Sequence, residues 1–88
     1  MRCTVVWIPG AKNELARIWT DAADRQAVTN AADEIDRVLR RDALSVGEEY
    51  DDDRRLVIDP LEVIYTVSPD DCMVRVIWVA WSSRFPAR

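Results

Sequence analysis

The sequence has no histidine. That absence excludes histidine-based general acid–base catalysis, Ser-His-Asp triads and histidine metal sites. It also lacks a basic surplus. Twelve Lys and Arg residues face sixteen Asp and Glu, a formal charge of -4, whereas a strongly cationic nucleic-acid binder shows an excess of positive charge. Cysteine is scarce, with only Cys3 and Cys72 present. Their spacing fits no metal motif, and neither a metal nor another cofactor is expected. A disulfide between them requires neighbouring strands. With no sign of secretion, the expectation is a cytoplasmic protein with two reduced thiols. Long apolar runs are missing too. None is long enough to cross a bilayer, and Met1 to Ile8 is too short for a signal-peptide core, so no membrane association is expected.

What is present is the balance of a folded chain. In 88 residues and 10.1 kDa, 49% are hydrophobic and 32% charged, which predicts a single domain over 1–88. Met1 to Ile8 is β-branched and aromatic, and Pro9-Gly10 stops it: a strand and a turn. From Ala11 the period changes. Leu15, Ile18, Trp19 and Ala22 fall at i, i+3, i+4 and i+7, the apolar stripe of a helix, and place Trp19 in the core. Asp24 is a candidate N-cap for a second helix, whose stripe runs through Val28, Ala31, Ala32, Ile35, Val38 and Leu39. Arg37, Arg40 and Arg41 crowd its last turns, where cations complement the helix dipole. So short a break predicts an antiparallel helical hairpin.

Ser45 to Asp53 reads as an acidic loop, with Gly47 ending the helical region. The period then becomes two. Arg55 to Ile58, Leu61 to Val67 and Cys72 to Trp81 read as strands, separated by turns at Asp59-Pro60 and Ser68 to Asp71. The last strand is apolar on both faces and is predicted to be central. Plain alternation puts Met73, Arg75, Ile77, Val79 and Trp81 on one face and Cys72, Val74, Val76, Trp78 and Ala80 on the other. The predicted fold class is α+β: an N-terminal strand and a helical hairpin packed on a three- to four-stranded antiparallel sheet.

This order resembles the RelE/ParE superfamily of type II toxin–antitoxin toxins. The residues that carry the resemblance are Glu14-Leu15-Ala16-Arg17-Ile18-Trp19, Ile35 through Leu39, Gly47, Arg55-Leu56, Pro60-Leu61-Glu62-Val63-Ile64-Tyr65 and Val74 to Val79. It implies a RelE/ParE-like toxin that acts on a large target and is neutralised by a cognate antitoxin. RelE-like members cleave messenger RNA on the ribosome; ParE-like members inhibit DNA gyrase. Such cleavage needs an activated 2′-hydroxyl, a stabilised phosphate charge and a protonated leaving oxygen. RelE-like enzymes meet these needs with lysines, arginines and often a C-terminal tyrosine. Carried onto this chain, the first basic position is Arg55. Val57 stands where the ribonucleases tend to have lysine, Glu62 at a basic position, and Ser82 near another. Phe85 is the only aromatic of the tail. Most of that set is missing or reversed in charge, which weighs against efficient cleavage; an atypical set would comprise Arg55, Arg75 and Arg84.

Each candidate has a plainer reading. Arg54 and Arg55 read as phosphate ligands or, preferred, as neutralisers of Asp51 to Asp53. Arg75, inside a strand, is a basic centre of a concave surface or a snorkelling arginine paired across strands with Glu62. Tyr65 is a proton donor or, preferred, an aromatic packed beneath the helices with its hydroxyl at the edge. Trp78 and Trp81 fall on opposite faces, so one of them, with Met73 or Ile77, is left for an exposed partner surface. The acidic run Glu48 to Asp53 lacks calcium-loop spacing and reads as a solvated loop.

Overall fold

A computed structural model describes residues 3–82. The elements run β1 (Thr4–Trp7), α1 (Pro9–Asp21), α2 (Arg25–Asp42), β2 (Glu48–Tyr50), β3 (Asp53–Ile58), β4 (Leu61–Ser68) and β5 (Met73–Trp81). The five strands form one sheet in the order β1-β5-β4-β3-β2. β1 joins β5 in parallel, and the remaining pairs are antiparallel. The α+β class holds, with β5 interior as its two apolar faces require.

Pro9 and Gly10 open α1 instead of closing the turn before it. Proline suits a first helical turn, whose N–H groups have no intrahelical acceptor. α2 begins where the sequence placed its cap, since Asp24 accepts a hydrogen bond from the Ala27 N–H at 3.1 Å. Its apolar stripe buries Val28, Ala31, Ile35 and Leu39 against the sheet. Near the turn the Trp19 indole donates to Thr29; farther out Lys12 and Asp36 line one groove, the pairing of an antiparallel hairpin. No helix among the described residues is long and apolar enough to cross a membrane.

Three features differ from the sequence reading. First, the acidic loop contains β2, an edge strand whose three residues are all exposed. Such a strand has no apolar alternation to reveal it. Second, the register of β4 on β5 shifts between Ile64 and Tyr65, which face Trp78 and Val76 and leave Ile77 as an extra residue. A bulge of one residue reverses which side every later residue faces. Trp78 therefore joins Met73 and Arg75 on the open face, while Val79 and Trp81 move to the helical face with Val74 and Val76.

Third, Cys3 and Cys72 are disulfide-bonded, correcting the expectation of two free thiols. The parallel register pairs Thr4 with Met73, so the residue before each lies side by side, with Cα atoms 4.7 Å apart. A sequence separation of 69 residues concealed that proximity. Closing so long a loop restricts the unfolded chain and contributes about 4 kcal/mol in the chain-entropy account.

Candidate functional site

Two surfaces stand out, one on each side of the sheet. On the open face, cross-strand register aligns Arg55 with Ile64 and Trp78, and Arg75 with Thr66 and, on β1, Val6. Arg55 and Arg75 thus share the face, with β4 between them, two strand spacings (roughly 10 Å) apart across the sheet and offset by two residues, roughly 7 Å, along it. Their circumstances differ. The Arg55 guanidinium lies 3.5 Å from a Glu48 oxygen and 3.4 Å from Glu62 Oε2. Its Nε is buried and makes no hydrogen bond, so the contact with Glu62 is an ion pair without good hydrogen-bond alignment. Glu62 itself is only 7% exposed, a carboxylate that needs such a countercharge.

Arg75 is exposed, and among the described residues no carboxylate lies within ion-pair distance of it. The expected partner Glu62 belongs to Arg55 instead. Beside Arg75, Trp78 is 44% exposed. A free guanidinium next to an accessible indole is suited to an anion and a flat apolar or aromatic group together. Met73 shares this face and is half-buried; Trp81 pairs with Leu61 on the opposite face. The partner-binding trio Met73, Trp78 and Trp81 is therefore split. Of the atypical arginine set, Arg55 and Arg75 are brought to one face, and Arg84 lies outside the described residues, as does Phe85. Ser82 is buried, its N–H donating to the Pro60 carbonyl at 2.9 Å. Val57 lies opposite Glu62 on β3.

Arg54 follows neither sequence reading. It donates to the Val46 carbonyl at 3.1 and 3.3 Å and to that of Gly47 at 3.4 Å. Tyr65 is fully buried on the helical face, and its hydroxyl lies 2.8 Å from the Ala43 carbonyl and 3.0 Å from that of Val46. The plainer reading of Tyr65 as a packed aromatic holds. These two side chains bind the α2–β2 connection to the sheet. Gly47 completes that lock, because its φ is +71° and a Cβ there would lie 2.6 Å from the Arg55 carbonyl oxygen. Burial raises the Tyr65 pKa above 10.0, and the nearby Arg54 guanidinium opposes the shift only in part. The neutral phenol's contribution is thus complete below the phenol's ordinary pKa and is lost as pH rises through the raised value. Tyr65→Phe is expected to cost about 1–3 kcal/mol at neutral pH, by leaving a buried carbonyl unsatisfied, and to flatten the alkaline limb of stability. Urea unfolding of both proteins at neutral pH and above pH 10 measures this.

The second surface is an apolar groove of about 710 Å³ between the helices and β1. Its floor is built by Trp7, Leu15, Ala16, Val28 and Ala32. Trp19 forms a wall and is 42% exposed, correcting its placement in the core. Ala11 and Ile18 turn toward the sheet, while Trp19, about 100° further round the helix, faces the gap beside α2. Its indole donates to Thr29 at 3.1 Å, and Arg25 stacks 4.8 Å from its ring. Lys12 edges the groove from α1, and Asp33 and Asp36 edge it from α2. Sequence periodicity marked these residues as a stripe but not which part of it remained uncovered. Among the described residues, no group of three or more acidic or cysteine side chains could hold a metal ion.

The fold so defined, a helical hairpin over a mixed five-stranded sheet, is that of RelE- and ParE-like toxins of toxin–antitoxin systems. It matches the RelBE2 toxin–antitoxin complex of Mycobacterium tuberculosis with a TM-score of 0.74 at 11% identity, over 94% of both chains. The ParDE system of Pseudomonas aeruginosa matches at 0.72 and 14% identity, over 93% of this chain and 98% of that one. The isolated Escherichia coli RelE toxin matches at 0.64 and 15% identity, covering 96% and 88%. No protein-family model and no curated protein sequence matches the chain. At these identities the likeness is one of fold, and fold alone does not set activity.

Proposed function

We propose that this chain is the toxin of a type II toxin–antitoxin pair, acting in the cytoplasm by occupying a large target and held inactive by a cognate antitoxin. The observation that carries this reading is the fold match to chains of toxin–antitoxin assemblies over more than nine-tenths of both lengths. The apolar groove supports it, since an exposed tryptophan within an apolar cleft suits a partner's anchor residues. Its rims, Lys12 on one side and Asp33 and Asp36 on the other, suit an amphipathic antitoxin helix with basic residues toward α2.

The target is DNA gyrase or the ribosome with its messenger RNA. Binding without RNA cleavage is favoured, because Arg55 is engaged by two carboxylates and Tyr65 is buried on the opposite face. A second reading, ribosome-dependent messenger RNA cleavage, draws on the free Arg75 beside Trp78. Tight inducible expression is expected to arrest bacterial growth, with relief by the co-expressed antitoxin. Messenger RNA on translating ribosomes is expected to stay intact. Cleavage that Arg75→Ala abolishes would establish the second reading. Normal growth with folded protein in the cells would leave an interaction module that is not toxic.

A further inference from the structure

The disulfide has a position that its stabilising role does not require. β1 is an edge strand of four residues, held to β5 by four register pairs. Flanking hydrogen bonds run from the Thr4 N–H to the Cys72 carbonyl at 2.9 Å and from the Ile8 N–H to that of Val76 at 3.1 Å. Another runs from the Cys3 N–H to the Arg40 carbonyl at 2.8 Å. Both candidate surfaces meet on this short strand. Trp7 forms part of the groove floor, and Val6 lies beside Arg75 on the open face. Cys3 and Cys72 are each only partly buried, with Cys3 packed at the margin of the core. The sequence holds no third cysteine, so no other pairing within the chain competes with the bridge.

We propose that the Cys3–Cys72 disulfide is a redox strap on β1: a dithiol reductant opens it, frees the strand from β5, and alters the groove and the open face together. One thiolate of the reductant attacks a bridge sulfur, forming a mixed disulfide and releasing the other cysteine. The second reductant thiol then displaces the remaining cysteine. Two electrons and two protons pass to the protein, which gains two thiols, and the reductant leaves as its own disulfide. A disulfide oxidant reverses the exchange. A short edge strand is suited to this role, because it opens locally at lower free energy than the interior strands of the sheet.

Native-state hydrogen exchange on the full chain tests the strap, comparing oxidised protein, protein reduced with dithiothreitol, and Cys3→Ser/Cys72→Ser. In both reduced forms the amides of Thr4 to Ile8 are expected to exchange within about tenfold of an unstructured chain. Those of β4 should remain at least a hundredfold slower. Oxidised glutathione should restore β1 protection in the reduced wild type and not in the double variant. If β1 stays protected after reduction, the strap does not govern it. Loss of β1 and β4 protection together would make the bridge a staple of the whole domain. A bridge that dithiothreitol opens only in denaturant would also overturn the proposal.

Discussion

Ile35→Ala is expected to lower the unfolding free energy by about 3–4 kcal/mol. Ile35 is fully buried at the middle of the α2 stripe, with Ala31 and Leu39 a turn away on either side. Removing its outer carbons forfeits their transfer free energy and leaves a cavity that the backbone of a packed helix cannot close. Domains of this size hold about 5–15 kcal/mol in all. The melting temperature should therefore fall by about 12–32 °C, at about 4–8 °C per kcal/mol. Asp33→Ala, on the exposed side of the same helix, should move it by no more than about 0.5 kcal/mol. Calorimetry on the two variants with the disulfide intact makes the comparison. A loss below about 1 kcal/mol at Ile35 would mean that α2 is not seated as described.

That helix was legible in the chain because its signals agree. The apolar period is 3.6, an aspartate stands at the cap, and arginines fill the last turn, so each local preference points to one structure. The strands around Leu56, Val63 and Val74 were legible for the same reason. The bulge at Ile77 was not. Val76, Ile77, Trp78 and Val79 are all apolar, so no polar residue marks the change of phase, and only the pairing with Ile64 and Tyr65 reveals it. That shift of one residue determines which tryptophan accompanies Arg75. β2 was hidden for the opposite reason, since Glu48, Glu49 and Tyr50 are all exposed and nothing alternates.

The candidate site divides in the same way. Arg75 stands out as a charge in an apolar strand, and among the described residues no carboxylate lies within ion-pair distance of it. Arg55 also stood out, but its engagement by Glu48 and Glu62 depends on three strands meeting in register. No local pattern carries that. The groove is a tertiary feature of the same kind: Trp7 comes from β1, Trp19 from α1 and Val28 from α2. Each reads locally as ordinary core. Val28 is buried while Trp19 is left 42% exposed, a difference set by how the two helices pack and not by either local pattern.

On the proposed function, Ala16→Glu is expected to weaken antitoxin binding by about a hundredfold or more while leaving the fold and any toxic action in place. Ala16 lines the groove from an exposed position on α1, so a longer side chain there displaces no core contact. Glutamate is a good helix former and should leave α1 intact. Beneath a docked helix, however, its carboxylate must either lose most of its water, with Lys12 one turn away as a partial countercharge, or push the helix away. A hundredfold change corresponds to about 2.7 kcal/mol, within the range for a poorly compensated buried charge. Ala16→Ser adds one small hydroxyl and should stay within about threefold of the parent. In cells, the glutamate variant should arrest growth even when the antitoxin is co-expressed. Unchanged affinity would remove the groove as the docking site and move attention to the open face. There Trp78→Ala would then be expected to carry the loss, since Trp78 is the exposed aromatic next to the unpaired Arg75. The two substitutions therefore distinguish the groove from the open face as the surface that such an antitoxin would cover.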